Sequence, residues 1–398
     1  MPPVNVAVIG SGFMGAAHID ALRRVPGVQV VALASVDAPR ARELAAQFGI
    51  PHVFEDWRAL LTRDDVHAVH NCTPNDLHFE VNRALLEAGK HVLSEKPLTI
   101  TAAESAELVR LARAAGVVTA VNFNYRGYPL VQQARAMVAR GDLGDLFLVH
   151  GHYLQDWLLL DTDYNWRLES RVSGASRAVA DIGSHWFDLA QFVTGRKITA
   201  VFAHLFRAHE TRKKPRQAVE TYKGKEQGAP EEYDEVAIDT EDGGFVLVEF
   251  EGGLRGSLAV SQVSAGRKNR QWLEVDGSRS AVAWDQENPN HLWVGHRDRA
   301  NEVLMKDPAL LDASARGYAH YPGGHPEGYP EGPRNLFGNL YRYIAAGKVP
   351  GRDPADFPTF EDGDVEVRIV EAVLESHARQ AWVRVGDLAS GGATVPPG

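Results

Sequence analysis

Three short stretches of this sequence carry residue types whose spacing suits chemistry. Gly10-Ser11-Gly12-Phe13-Met14-Gly15 sets glycines at its first, third and sixth positions, directly after the apolar run Val4–Ile9. Gly10 permits a tight turn, Gly12 a close approach of backbone to a pyrophosphate, and Gly15 close packing of a helix on a strand. A helix starting there offers free N–H groups and a positive dipole end to phosphate oxygens. Glu95-Lys96-Pro97 ends a second apolar run. A lysine at such a rim can polarise a hydroxyl or a carbonyl, although a plain surface lysine is the competing reading. Asp181-Ile182-Gly183-Ser184-His185 spaces a carboxylate and an imidazole four residues apart, on one face of a helix. The imidazole suits proton transfer from an alcohol; a buried, hydrogen-bonded histidine is the alternative. Asp188 follows and can orient a neighbour. Asp181 and His185 lack an evident third ligand, so no metal is expected. Ser184 lacks the glycine-flanked elbow of a hydrolase nucleophile.

These residues need a scaffold, and the surrounding pattern supplies one. Val4–Ile9, the glycine turn, a helical stretch from Ala16 to Val25 and a second apolar run, Val28–Ala34, make strand, turn, helix, strand. The alternation continues with a helix over Asp37–Phe48 and a strand over Val66–Asn71. The break Thr73-Pro74-Asn75 precedes a helix over His78–Ala88, and a strand follows over His91–Ser94. A helix over Thr101–Ala115 and a strand over Val117–Asn122 complete the series. Such alternation predicts a doubly wound parallel sheet, an α/β dinucleotide-binding domain over residues 1–123. Ligands bind beyond the carboxyl ends of its strands, at Gly10–Gly15, Thr73–Asn75 and Glu95–Pro97.

After residue 123 the pattern changes. Helices are predicted over Leu130–Ala139, Ser184–Thr194 and Asp364–Ala381. Strands are predicted over Leu146–Tyr153, Ile198–Leu205, Glu235–Thr240, Gly244–Glu251, Arg255–Gln262, Gln271–Asp276 and Ser280–Trp284. Asp242-Gly243-Gly244 and Glu251-Gly252-Gly253 read as turns between them. The expectation for 124–398 is an α+β domain with a large open, mainly antiparallel sheet. The polar stretch 207–234, with Lys213-Lys214-Pro215 and Lys223-Gly224-Lys225, reads as an exposed loop. Residues 316–334 read as an irregular loop, and 391–398 as a low-complexity tail.

Composition narrows the partners. The 398 residues carry a net charge of −10, which argues against nucleic acid. Cys72 is the single cysteine, so an intramolecular disulfide and cysteine-based zinc sites are excluded. The start Met1-Pro2-Pro3 has no basic segment ahead of an apolar one, and no window reaches the roughly 20 apolar residues that span a bilayer. The expectation is a soluble, cytoplasmic protein with no membrane partner.

Taken together, the glycine fingerprint, Glu95-Lys96-Pro97 and Asp181-x-Gly-x-His185 resemble the Gfo/Idh/MocA family of oxidoreductases, over nearly the whole chain. The resemblance implies an NAD(P)-dependent dehydrogenase or reductase that moves a hydride between nicotinamide and a secondary hydroxyl of a sugar or polyol. It implies Lys96 and His185 at the reacting hydroxyl and Asp181 on the substrate. It implies cofactor contacts from Gly10, Gly12, Phe13, Met14 and Gly15, from Ser35 and Arg40, and from Thr73, Pro74, Asn75, His78, Glu95 and Lys96. The stretches Leu154–Trp157 and Asn165–Arg167 look like members acting on sugars. Candidates for substrate binding by type and position are Tyr125, Arg126, Gln155, Trp157, Trp166, Arg167, Lys268, Asn269 and His325, for each of which ordinary packing or exposure competes. Two other functions fit the same motifs: an NAD-dependent glycosidase working by transient sugar oxidation, and a nonenzymatic cofactor-binding sensor, which needs neither Lys96 nor His185.

Cofactor choice turns on the end of the second strand. An NAD site usually places a carboxylate there, about 20 residues past the glycine turn. Here the place falls to Ser35, which does not repel a 2′-phosphate. Asp37 reads as a helix N-cap, and Arg40 and Arg42 follow within a turn, although Val36 stands directly after Ser35. Both cofactors are expected, with a slight lean to NADP(H). A long apolar sheet face usually pairs with something, so a homodimer or homotetramer is expected.

Overall fold

The computed structural model describes residues 3–216 and 232–386. The chain forms two compact units, Met1–Gly127 with Gly328–Val365, and Tyr128–Glu327 with Glu366–Gly398.

The first unit is built on six parallel strands: β1 (Val4–Ile9), β2 (Val28–Ala34), β3 (His52–Phe54), β4 (Ala68–Asn71), β5 (His91–Ser94) and β6 (Thr119–Val121). Their order is β3-β2-β1-β4-β5-β6. The central strands are apolar runs because helices cover both faces of a parallel sheet. Those helices are α1 (Phe13–Arg23), α2 (Ala38–Phe48), α3 (Asn75–Glu87) and α4 (Ala102–Ala115). Their ends follow local chemistry. The Asp37 side chain accepts from the N–H of Arg40, and Thr101 from that of Glu104; Gly49 and Gly116 close α2 and α4 in the left-handed conformation. Strand order reverses between β1 and β4, so the loops after these two strands diverge and leave a crevice at the carboxyl edge of the sheet.

Residues 328–365, which the sequence predicts to continue the second domain, belong to this first unit. The reason is the apolar face of the helix Glu331–Ala345. Leu336, Phe337, Leu340 and Tyr341 join Val6, Val8, Ile19, Leu22 and Leu93 in one core. Burying each such side chain is worth about 1.5–3 kcal/mol. This helix also takes the last residues of the stretch 316–334 read as irregular.

The second unit holds a nine-stranded sheet. Its strands are β7 (Leu146–Leu154), β8 (Ile198–Phe206), β11 (Gly243–Phe250), β12 (Arg255–Ser261), β13 (Arg270–Gly277), β14 (Ala281–Asp285), β15 (His291–Gly295), β16 (Glu302–Met305) and β17 (Val383–Arg384). A separate hairpin pairs β9 (Thr211–Pro215) with β10 (Tyr233–Ala237). The large sheet runs β16-β15-β14-β13-β7-β12-β11-β8-β17, antiparallel except between β7 and β12. Side chains alternate, as a sheet with one covered face requires. Val149, Val246, Val248, Leu258, Leu273 and Val275 are buried with helices α5 (Pro129–Arg140) and α6 (Ser184–Thr194), while Leu148, Phe206, Phe245 and Leu247 stay exposed.

Three local expectations are corrected. Residues 211–215 and 233–237 pair as antiparallel strands and are not loop; β10 is largely exposed, but Arg212 inside the charge run is fully buried. Gly243 and Gly244 lie inside β11 and make no hairpin turn; a Cβ at Gly243 would sit 2.5 Å from the Val260 carbonyl oxygen. The segment predicted as strand over 235–240 pairs only as β10, outside the large sheet. Lys223-Gly224-Lys225 and the tail 391–398 lie outside the described residues.

Candidate active site

In the first unit the glycine turn is constrained on two sides and open on the third. Gly10 adopts φ +106°, and a Cβ there would meet the Cys72 carbonyl oxygen at 2.6 Å. A Cβ on Gly15 would stand 2.0 Å from the Gly10 carbonyl oxygen. Gly12, by contrast, has nothing within 4 Å of where its Cβ would be. The two outer glycines therefore close the turn on the protein, and the middle one keeps backbone accessible from outside. No side chain caps the N-terminus of α1, which begins at Phe13. This cradle fits a dinucleotide pyrophosphate: uncapped N–H groups, a dipole end and an approach without a side chain. Phe13 is half exposed beside it, and the Met14 sulfur accepts from Tyr329 Oη at 3.7 Å.

Beyond β2, the hydroxyls of Ser35 and Ser11 share a hydrogen bond of 2.8 Å. Asp37 Oδ1 is engaged as the cap of α2. Arg40 folds back, its Nε donating to the Ser11 carbonyl at 2.8 Å.

The other two rim turns brace each other. Asn71 at the end of β4 accepts from the N–H and hydroxyl of Thr73, and its amide passes through Asn82 to Ser94 at the end of β5. Pro74 precedes Asn75, the first residue of α3. His78, fully buried, spans the gap, its ring nitrogens 2.7 Å from the Pro97 carbonyl and 2.9 Å from that of Thr73. Burial pushes its pKa down, against the pull of the two carbonyls. His78 and Glu95 are thus turned into the protein. Glu95 lies under the turn and accepts from His18, Asn122 and the Lys96 N–H. Burial raises its pKa, but His18, Lys96 and Asn122 outweigh that and hold it down at about 2. Lys96 is half-buried and precedes a cis peptide to Pro97. Tyr125 and Arg126 also belong to this unit; Tyr125 is buried, and Arg126 pairs with Asp362 at 3.3 Å.

In the second unit Asp181 and His185 stand at a π-helical turn, Val179–Gly183, that leads into α6. The buried Glu241 carboxylate anchors its start, accepting from Ser176 Oγ and from the N–H groups of Arg177 and Val179. Gly183 in the motif leaves room for Val179, whose Cγ1 would lie 3.3 Å from an added Cβ. The Asp181 carboxylate is held from both sides, by Arg167 Nε at 3.4 Å and Gln262 Nε2 at 3.0 Å. The Arg167 guanidinium lies over the Trp166 and Trp157 rings, 4.4 and 5.7 Å from their centroids. His185 is buried, with its ring centroid 6.3 Å from that of Tyr153. Tyr153 Oη and Gln155 Nε2 both donate to Asn269 Oδ1, at 2.7 and 2.8 Å, and Trp157 Nε1 donates to Gln155. Lys268 pairs with Asp156 at 2.5 Å.

Gln155, Trp157, Trp166, Arg167, Asp181 and Asn269 therefore form one connected network, with His185 and Lys268 at its margin. His325 is not tied to it: it is exposed, on a loop gathered by the buried Lys306. Sequence reasoning missed Tyr153, Asp156 and Gln262, which come from strand ends. Among the described residues the grouping able to offer three metal ligands is His150, Glu274 and Asp276, apart from Asp181 and His185. Among the same residues no helix is long and apolar enough to cross a membrane.

Comparison with known proteins places this geometry. Residues 4–123 match the model of the oxidoreductase family with an NAD-binding Rossmann fold, GFO_IDH_MocA, and residues 131–283 match a C-terminal domain of that family. A crystal structure of an oxidoreductase domain protein from Kribbella flavida is 32% identical, with a TM-score of 0.86 over 97% of this chain and 100% of that one. The levoglucosan dehydrogenase of Pseudarthrobacter phenanthrenivorans is 29% identical over 98% of this chain and all of its own. A levoglucosan dehydrogenase solved with NADH and L-sorbose superposes with a TM-score of 0.86 at 29% identity, over 98% of this chain and 100% of that one. This chain belongs to the Gfo/Idh/MocA family and is an NAD(P)-dependent oxidoreductase.

Proposed function

We propose that the enzyme moves a hydride between nicotinamide and a secondary hydroxyl of a sugar, sugar derivative or polyol. The observation that carries this reading is the Asp181 carboxylate, held between Arg167 and Gln262 four residues before the buried His185. A fixed carboxylate among indole faces and amide groups suits a ligand with apolar faces and hydroxyl edges. Full-length similarity to a levoglucosan dehydrogenase supports the same substrate class.

When bound, the nicotinamide supplies the hydride acceptor or donor. His185 accepts the hydroxyl proton as general base. Lys96 stabilises the negative charge that develops on the oxygen. Asp181 holds an adjacent hydroxyl and so selects the carbon that reacts. Reduction uses the same groups in reverse. Gly10–Gly15 and the rim turns at Thr73 and Glu95 hold the dinucleotide. Both NAD(H) and NADP(H) are used, with a lean to NADP(H): Asp37 is engaged as a cap, and Arg40 is tethered beside Ser35. The working form is a homodimer or homotetramer through the open sheet face, where Phe245 and Leu247 are exposed.

A panel of sugars and polyols, followed at the absorbance of reduced nicotinamide, tests the substrate class. Steady accumulation of reduced cofactor with free sugars is expected. Glycoside cleavage without net change in cofactor would replace this reading.

A further inference from the structure

Behind Lys96 the first unit contains a buried chain of hydrogen bonds that cofactor cradling does not require. Glu95 Oε2 accepts from the Lys96 N–H at 3.2 Å, and Oε1 lies 2.7 Å from His18 Nε2 and 2.6 Å from Asn122 Nδ2. His18 Nδ1 lies 2.9 Å from His70 Nδ1, and His70 Nε2 lies 2.8 Å from Tyr341 Oη. His18 is on α1, His70 on β4, Asn122 just past β6 and Tyr341 on the helix Glu331–Ala345. All are buried, and the Phe337 ring packs at 4.9 and 4.7 Å against the two imidazoles.

The proton positions follow from the contacts. Burial pushes the Tyr341 phenol up, so it keeps its proton, and pushes His70 down, so that imidazole is neutral. With one proton on each ring, a single arrangement satisfies every junction: Tyr341 donates to His70, His70 to His18, and His18 to Glu95. A second proton on His18 reverses the two outer bonds and leaves the bond to Glu95 as it is. A bare His18 Nε2 could accept from Asn122 Nδ2 at 3.1 Å, but its lone pair would still stand 2.7 Å from the carboxylate oxygen. In every arrangement that works, His18 donates to Glu95. The other titratable groups around Glu95 are Cys72 beyond β4, a thiol pushed up by burial and by Glu95, then His78 on α3, which burial pushes down, and Lys96 itself.

We propose that Glu95 is a positioning residue for Lys96, and that the His18–His70–Tyr341 chain exists to keep its carboxylate ionised and fixed in place. The proposal rests on the role given to Lys96 above. Three properties separate such a device from ordinary packing. The charge must be present for activity, the groups must act as one unit, and the carboxylate must become acid-sensitive once its donor is gone. A buried carboxylate that loses its partner has its pKa raised by desolvation.

The test uses the full chain with its nicotinamide cofactor and the best substrate of the panel. Glu95→Gln should lower kcat by roughly 10- to 100-fold, the range for mispositioning a catalytic group. Dinucleotide Kd should change little. His18→Leu should lower kcat similarly and add an acid limb that the parent lacks: activity is kept above the raised Glu95 pKa and lost as pH falls through it. His18→Gln keeps an amide donor and should recover most of the loss. The double variant Glu95→Gln/His18→Leu should be no worse than the poorer single, as groups of one unit behave. Tyr341→Phe removes one hydroxyl and should move the acid limb the same way by less. Wild-type kcat in Glu95→Gln, additive losses in the double variant, or a lowered melting temperature with no acid limb in both His18→Leu and Tyr341→Phe each overturn the proposal. Lys96→Met separates the two readings. If it leaves turnover intact, the role of Lys96 fails; if it lowers turnover while Glu95→Gln does not, only the positioning role fails.

Discussion

Lys96 and His185 carry the sharpest expectation at the scale of single residues. Lys96→Met and His185→Ala should each reduce turnover by ~10²–10⁴, the usual contribution of a positioned acid–base group. Dinucleotide Kd should survive both, because the cradle is backbone around Gly12. Single-turnover rates beside a direct binding titration check this; near-normal turnover in either variant removes that residue from the site. Cofactor choice is also decided by a few atoms. The ratio of kcat/KM for NADP(H) over NAD(H) should exceed one and fall in Arg40→Ala. A strong NAD preference that vanished in Asp37→Ala would show that Asp37 reads the ribose despite its bond to the Arg40 N–H. What sequence revealed at this scale was whatever is local. Asp181 and His185 announce themselves four residues apart. Gln262 holds the same carboxylate from 81 residues away, and Tyr341 reaches His70 across 271. No short-range pattern marks such partners, since they are defined only once strands and helices are stacked.

Elements decide the next set of effects. The glycine turn separates folding from binding, because its glycines serve different neighbours. Gly15→Ala puts a methyl 2.0 Å from the Gly10 carbonyl oxygen and should lower the melting temperature by several degrees or prevent folding. Gly12→Ala meets nothing in the protein and should leave the melting temperature of the cofactor-free protein nearly unchanged while weakening dinucleotide binding. Thermal melts with and without dinucleotide compare the two; equal melting losses would show that Gly12 serves the fold instead. The βαβ alternation was legible because the strands are largely apolar runs and α2 and α4 carry their own caps, Asp37 with Gly49 and Thr101 with Gly116. The hairpin of β9 and β10 was not. Its sequence looks solvated, yet Arg212 is buried, donating to the Leu158, Leu160 and Asp163 carbonyls and to Asp242. Asp242 also pairs with the buried Arg177. A buried ion cluster has the composition of a surface, and only its partners betray it.

The whole molecule is more than its sheets. The open face of the nine-stranded sheet exposes Leu148, Phe206, Phe245 and Leu247, and light scattering should give a mass of two or four chains. A paired Phe245→Glu and Leu247→Glu change should shift that mass to one chain. A monomer at working concentration would refute the pairing. The path of the chain holds a further consequence. The first unit is begun by residues 1–127 and completed by 328–365. During synthesis, its sheet leaves the ribosome without Leu336, Phe337, Leu340 and Tyr341 to cover it. At about 5–20 residues per second, roughly ten to forty seconds pass before they arrive. In that interval the second unit's strands β7 to β16 emerge in full. The half of the molecule translated first thus waits for a segment, 328–365, that is made only after most of the second unit. A chain stalled or cut near residue 327 would present an uncovered apolar sheet to whatever guards nascent proteins.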